Sequence, residues 1–262
     1  MQEIDRWALH RLQGLIRRVR QGYAQFEFHT VFHALNNFCA VDLSAIYLDI
    51  LKDRLYSDPT GSISRRAAQR VLSETLAVLT RLMAPILSFT AEEIWNQIPK
   101  EFRDDENVHL GSFPDEAKTV WMDKSLAEHW ENLLTVREEV ARALEKERKE
   151  KRIGSSLEAS VRLYAKGSSW NVAAENFNGY PFYKLLEEKK GFLPSLLIVS
   201  QVDLFPWENK PEGVPDSTID GIAVQVLPAR GTKCGRCWCY REDVGRNPAH
   251  PELCARCAEA VG

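Results

Sequence analysis

Along the first hundred residues, apolar positions recur at steps of three and four, the period of a helix with one buried face. Ile4, Leu9, Leu12, Leu15, Ile16 and Val19 fall on one stripe, with Arg17, Arg18 and Arg20 crowding its far end. A second stripe over 28–55 carries Val31, Leu35, Phe38, Ile46, Ile50 and Leu51, and the turn cluster Ser57-Asp58-Pro59-Thr60-Gly61-Ser62 breaks it. A third helix is predicted from near Ser64, through Ala67, Val71, Leu72, Thr75, Leu76, Leu79, Leu82 and Met83, up to Pro85. Thr90-Ala91-Glu92-Glu93 reads as a capping box in which Glu93 reaches back to the Thr90 amide, opening a fourth helix over 92–98 that stops at Pro99. Four helices with short links imply an antiparallel bundle.

Residues 100–122 have the composition of a linker, with Asp104-Asp105-Glu106, Gly111, Pro114 and Asp115-Glu116. A long helix follows from Asp123, because Leu126, Trp130, Leu133, Leu134, Val140 and Leu144 return to helical spacing. Its charged end, 145–152, offers Glu145–Lys149 and Glu147–Lys151 in the favourable i,i+4 order and reads as a solvated helix end, stopped by Gly154-Ser155-Ser156. The period then becomes two. Val161, Leu163 and Ala165 alternate with polar neighbours, 196–202 is a short β-prone run, and Ile222, Val224 and Val226 alternate again up to Pro228. A short helix fits over 180–190. The expected architecture is mainly α with a small α+β part: a bundle with its linker at 1–122, a connecting helix at 123–157, an α+β module at 158–232 and a cysteine-rich end at 233–262.

That end carries the clearest chemistry. Cys234-Gly-Arg-Cys237 and Cys254-Ala-Arg-Cys257 are two C-x-x-C pairs at the spacing of a four-thiolate zinc site. With four thiolates the metal has no open position, so the site is structural and not catalytic. Two disulfides or plain buried thiols are the alternatives, and disulfides need an oxidising compartment. Residues 1–21 hold Arg6, Arg11, Arg17, Arg18 and Arg20 without the apolar run of a signal peptide. No stretch approaches the roughly 18 apolar residues of a membrane span, so the expectation is a cytoplasmic protein without membrane contact. Cys239, two residues after Cys237, could act as a spare ligand, although Cys237-Trp238-Cys239 is a poor chelate beside two C-x-x-C turns, and Cys39 reads as a small core residue.

Charge narrows the partners. The formal net charge is −3, so no global basic field draws the chain to nucleic acid. Residues 1–100 carry 12 Lys and Arg against 10 Asp and Glu, 233–262 carry 5 against 4, and 101–232 carry 17 against 23, so RNA would touch the ends. The terminal segment sets Lys233, Arg236, Arg241, Arg246 and Arg256 around Trp238 and Tyr240. Cations for phosphates and rings for unstacked bases are what RNA loops require. Arg65, Arg66 and Arg70 form a second basic cluster in the bundle. A solvated face is the other reading of both clusters, and packing over the metal site that of Trp238. His29 and His33 sit one helical turn apart but lack a third ligand, and neither a G-x-G-x-x-G nor a G-x-x-x-x-G-K-[ST] loop occurs. No catalytic centre assembles from these residues.

Several longer motifs carry a family resemblance. Asp5-Arg6-Trp7-Ala8-Leu9, Tyr23-Ala24-Gln25-Phe26-Glu27-Phe28-His29, Asp42-Leu43-Ser44 … Tyr47-Leu48-Asp49 … Lys52-Asp53-Arg54-Leu55-Tyr56 and Met83-Ala84-Pro85-Ile86-Leu87-Ser88-Phe89-Thr90-Ala91-Glu92-Glu93-Ile94-Trp95 resemble the anticodon-binding helical domain of class I aminoacyl-tRNA synthetases. Ile153-Gly154-Ser155-Ser156-Leu157-Glu158-Ala159 and the closing cysteine pairs look like the C-terminal part of bacterial isoleucyl-tRNA synthetases. The resemblance implies a partner, isoleucine-accepting tRNA held by its anticodon stem-loop, a structural Zn2+, and a monomer. It also implies that ATP and aminoacylation belong to a catalytic domain of the same parent enzyme, since no HIGH-like tetrapeptide or KMSKS-like loop is present and the chain lacks room for the catalytic and editing domains. Formamidopyrimidine-DNA glycosylases end in a similar finger, but they need an N-terminal proline where this chain has Met1-Gln2, and strands where it has a helical bundle. A zinc-stabilised protein-interaction module without RNA binding is the remaining alternative.

Overall fold

Helix α1, Glu3–Ala24, buries the predicted stripe of Ile4, Leu9, Leu12, Leu15, Ile16 and Val19, and Trp7 beside it. The computed structural model describes residues 1–114, 121–167 and 182–262. Asp115 and Glu116 of the expected linker, and the first two positions of the helix expected over 180–190, lie outside the described residues. The chain divides into two units, Met1–Leu55 with Thr60–Ala127, and Tyr56–Pro59 with Glu128–Gly262.

In the first unit, α1 packs against α2, Phe28–Ser57, and α3, Ile63–Met83, while α4, Ser88–Gln97, packs on α3. By length and composition α2 could cross a membrane, contrary to the sequence expectation. Val31, Leu35, Phe38, Tyr47, Ile50 and Leu51 form a face buried against the bundle, and Asp42 at its middle pairs with Arg11 at 2.9 Å. Its stretch Phe38–Leu48 is π-helical. The buried residues there, Phe38, Asp42 and Tyr47, recur at four and five, as the wider i→i+5 turn requires. Ile46, expected on the apolar stripe, is therefore only half-buried, and Tyr47 takes its place. In α3, Leu76 turns outward while Val78 turns in.

The N-terminal end of the bundle closes on a buried carboxylate. Asp5, with no exposed surface, accepts from Arg54 Nη1 at 2.9 Å, Arg54 Nη2 at 2.7 Å, the Tyr47 hydroxyl at 2.9 Å and the Gln2 amide at 2.8 Å. Arg54 also donates to the Ser64 carbonyl from Nε and Nη2. Burial, then the neighbouring Asp5 charge, pushes the Tyr47 phenol above its ordinary range.

The expected capping box at Thr90 does not form. Helix α4 already begins at Ser88, whose hydroxyl donates to the Ala84 carbonyl, so Thr90 lies inside the first turn. Glu92 instead accepts from the Val108 amide at 3.1 Å, tying the helix to the segment that follows. Trp95 is fully buried, donates to the Asp105 carbonyl, and lies 4.9 Å beneath the Arg81 guanidinium.

Helix α5, Lys124–Lys149, buries Leu126, Trp130, Leu133, Val136, Val140 and Leu144. Its charged end pairs differently from the i,i+4 expectation: Glu145 takes Arg148, and Glu147 takes Arg152. The helix also stops before Gly154. Lys151 adopts a left-handed backbone at φ 57°, Arg152 N donates to the Glu147 carbonyl at 2.9 Å, and Lys151 N donates to the Arg148 carbonyl at 3.0 Å. This is the Schellman pattern, with lysine where glycine is the residue free of Cβ strain. Lys151→Gly is expected to stabilise the second unit by about 1 kcal/mol. A urea midpoint that stays the same or falls would refute that reading.

The second unit is built on a three-stranded sheet ordered β2-β1-β3, with β1 Ala159–Ala165, β2 Gln201–Pro206 and β3 Ile222–Pro228. β1 runs parallel to β2 and antiparallel to β3, setting Leu163 between Leu204 and Val224. Helices α6, Phe182–Glu188, and α7, Leu193–Leu197, pack on it. The strand expected over 196–202 is displaced: Leu196 and Leu197 close α7, Ile198 turns left-handed, and pairing begins only at Gln201. Pro194 near the start of α7 suits the first helical turn, where its missing N–H removes no bond. Glu139 of α5 accepts from the Thr218 amide and hydroxyl and from Arg142. Burial alone would raise its pKa, but these hydrogen bonds outweigh it and hold the carboxyl below its usual range.

Candidate metal centre and nucleic-acid interface

The cysteine-rich end forms a two-stranded hairpin, β4 Thr232–Lys233 and β5 Tyr240–Arg241, followed by helix α8, Ala255–Val261. Thr232 faces Arg241 and Lys233 faces Tyr240. Gly231 sets the close approach: at φ 89°, a Cβ there would lie 2.4 Å from the Arg241 carbonyl. Only glycine fits.

Each C-x-x-C folds its two sulfurs toward one point. Trp238 N donates to the Cys234 carbonyl at 3.0 Å, and Cys234 N donates to that of Cys239 at 3.0 Å. Gly235 N donates to the Glu252 carbonyl at 2.9 Å, and Cys254 N donates to Cys234 Sγ at 3.3 Å, joining the two pairs. The sulfurs of Cys234, Cys237, Cys254 and Cys257 all lie within 4.8 Å of one another, and all four residues are buried. A tetrahedral zinc with Zn–S near 2.3 Å needs sulfurs about 3.8 Å apart; Cys237 and Cys254 stand at 3.9 Å. The donor set therefore fits a closed, structural metal site. Among the described residues it is the one group of three or more potential ligands brought together.

The thiols divide in proton affinity. Hydrogen bonding from Cys239 leads the causes that pull Cys237 down to about 4, while burial pushes Cys254 and Cys257 up. Metal entry must displace the protons of the latter two, so affinity weakens as pH falls. The spare-ligand expectation for Cys239 meets a different geometry. That residue packs against the cluster half-buried, outside the four-sulfur set. Cys39 is half-buried in the π-helical stretch. His29 and His33 are both exposed, and His33 stacks edge-on against Phe32 at 5.4 Å.

The hairpin is tied to the sheet by two side chains. Ser200 Oγ accepts from the Tyr240 amide at 2.7 Å; Gln201 Nε2 donates to the Tyr240 carbonyl at 2.7 Å and the Arg230 carbonyl at 3.1 Å. Sequence reading missed both, since neither belongs to a motif. Arg236 is half-buried and donates from Nη1 to the Ser57 carbonyl at 2.7 Å. Its guanidinium is thus engaged by backbone, unlike the solvent-facing cation expected from the sequence.

The remaining basic residues split. Trp238 stands 61% exposed on a left-handed backbone at φ 63°, with Lys233 Nζ 5.8 Å from its ring centre. Packing over the metal is not its arrangement. Arg241 and Arg246 are exposed, and Arg256 is half-buried. On α3, Arg66 and Arg70 are exposed, Arg70 pairs with Glu74 at 2.6 Å, and Arg65 is half-buried.

Comparison with known proteins gives two family matches and a set of relatives. Residues 5–163 match the family described as the anticodon-binding domain of tRNA ligase, and residues 231–260 match the zinc finger found in FPG and IleRS. The isoleucine–tRNA ligase of Moorella thermoacetica is 48% identical over 263 residues, covering 100% of this chain and 27% of that protein. Those of Syntrophotalea carbinolica and Symbiobacterium thermophilum are 45% and 44% identical over 99% of the chain, each matched over 26% of its length. The matching segment is the C-terminal part of these proteins. The chain therefore spans about a quarter of the length of the relatives it matches.

Proposed function

The chain belongs to the family of tRNA ligase anticodon-binding domains, and from that premise we propose that it is the RNA-gripping C-terminal part of an isoleucine–tRNA ligase. Its partner is the anticodon stem-loop of isoleucine-accepting tRNA. A structural Zn2+ on Cys234, Cys237, Cys254 and Cys257 pins the hairpin that presents the RNA contacts. Joining isoleucine to tRNA with ATP is the work of the rest of such an enzyme, in the cytoplasm and as a monomer. The chain's own contribution is positioning: contact energy at the anticodon sorts tRNAs before any chemistry occurs.

Trp238 carries the reading. A large ring held outside the core on a strained left-handed backbone, next to a lysine ammonium, has the form of a stacking site for an unpaired base. Lys233, Arg241 and Arg246 on the finger, with Arg65, Arg66 and Arg70 on the bundle, are proposed to take phosphates, and Arg256 to support them. Arg236 is proposed to anchor the finger through the Ser57 carbonyl.

Fluorescence anisotropy with isoleucine tRNA and an anticodon-substituted tRNA tests the reading. Trp238→Ala is expected to weaken binding by roughly 1–3 kcal/mol and to narrow the difference between the two RNAs. Lys233→Ala should weaken both equally and lower the salt slope by about 1. Equal affinity of the unsubstituted protein for both tRNAs would end the anticodon-reading proposal. The Arg236 contact favours a second reading, in which the finger is only a structural module. That reading predicts no salt-dependent RNA binding.

A further inference from the structure

The tip where α1 turns into α2 is built in a way that local stability does not ask for. Helix α1 closes in a second Schellman turn, with Glu27 N donating to the Gly22 carbonyl at 2.8 Å and Phe26 N to that of Tyr23 at 3.2 Å. The left-handed position of this turn, φ 58°, is filled by Phe26. Glycine suits such a position, and a bulky residue there is strained. Phe26 recovers little by burial, since it is 79% exposed. Strain held at an exposed ring points to a task outside the fold.

The ring does not stand alone. Phe28, 50% exposed, lies 6.4 Å from Phe26 and 6.2 Å from Tyr23, which in turn lies 5.5 Å from Phe113. The Tyr23 hydroxyl is anchored on the Leu82 carbonyl at 2.9 Å. Gly22 lets the helices close tightly, because a Cβ there would meet Val31 Cγ2 at 2.8 Å. The corner is thus rigid while two of its rings face solvent. Arg17 and Arg18 sit exposed on α1, within about 11 Å of its end at Ala24 along the helix, and between residues 14 and 33 the single carboxylate is Glu27. Residues 24–29 are all exposed and are rings, polar groups and one alanine.

We propose that Phe26 and Phe28, with Arg17 and Arg18 on the approach, form a stacking platform for unpaired bases of an RNA loop, additional to the finger. The rings supply faces that any base can stack on, and the guanidinium groups take the adjoining phosphates. This rests on the RNA-binding reading above and adds a second place of contact in the first unit.

The zinc-loaded 262-residue chain is titrated with a fluorescent hairpin RNA that has an unpaired loop and with a fully paired duplex of the same length. Phe26→Gly is expected to raise the thermal midpoint, because it relieves the left-handed strain, yet to weaken hairpin binding about 5- to 100-fold. Duplex binding should not change. Phe28→Ala should weaken the hairpin likewise. Unaltered hairpin affinity in both variants overturns the platform, as does an equal loss for hairpin and duplex. If the unsubstituted chain binds neither RNA, the proposed function itself has failed. If Trp238→Ala weakens the hairpin and Phe26→Gly does not, only the platform falls.

Discussion

Cys254→Ser is expected to abolish metal binding and unfold residues 233–262, while the helical bundle keeps its structure. The four buried thiols have little besides a metal to hold them, since the finger adds only the two-residue strands β4 and β5, one short helix and the ties through Ser200, Gln201 and Arg236. In fingers of this kind the metal contributes on the order of 10–16 kcal/mol at neutral pH, far more than such a segment can gain from its own packing. Loss of one of four ligands removes much of that. Amide exchange is the sharpest measurement. The N–H groups of Cys234, Gly235 and Trp238, protected by their carbonyl partners, should exchange near the unfolded rate in the variant and after chelation. Helical circular dichroism should fall by no more than the contribution of α8. Collapse of the bundle signal would show that residues 1–122 do not fold independently of the finger, and retention of one zinc per chain would remove the four-sulfur assignment. On the proposed function, RNA affinity should drop with the metal, since the proposed contacts Lys233 and Trp238 lose their support.

The second large effect is in the bundle. Asp5→Ala should cost about 3–5 kcal/mol, because it leaves the Arg54 guanidinium, only 9% exposed, without its carboxylate and the Tyr47 hydroxyl without its acceptor. For a unit of this size that amounts to a fall of roughly 10 °C or more in the thermal midpoint. The cost comes from the stranded charge, not from the loss of a favourable pair as such. Asp5→Leu combined with Arg54→Met should therefore cost much less than Asp5→Ala alone, since no buried charge remains. A double variant as unstable as the single one would mean that the geometry of the pair, and not its charge balance, holds α1, α2 and the start of α3 together. A single variant within 2 °C or so of the unsubstituted protein would mean that the site admits water freely.

Much of the candidate site was readable in advance, because its chemistry is local. A C-x-x-C turn brings two sulfurs together through its own four residues, so the ligand set follows from spacing alone. The same holds for most of the stripes of α1, α3 and α5, which a helical period writes directly into the chain, with Leu76 of α3 turned outward. The errors came where a neighbour distant in sequence changes the local choice. Thr90 looks like a cap, but a helix beginning at Ser88 encloses it, and Glu92 turns to the Val108 amide. Residues 196–202 have strand composition, yet the sheet pairs only from Gln201, where β1 offers partners. Ile46 lost its core position to the register of a π-helical stretch that no periodicity announces.

What the sequence by itself determined is the list of parts: a helical bundle, a long helix, a small sheet module and a four-cysteine end whose thiols suit zinc. Tertiary structure alone decided which polar groups are buried together and which rings are left outside. Asp5 finds Arg54 across 49 positions, Ser200 and Gln201 carry the hairpin, Arg236 turns to a backbone carbonyl, and Phe26 and Trp238 project into solvent on left-handed backbone. Helical and chelate geometry are short-range and repeat with a fixed period. Burial and hydrogen-bond satisfaction depend on what the rest of the chain brings near, and no short window of residues contains that information.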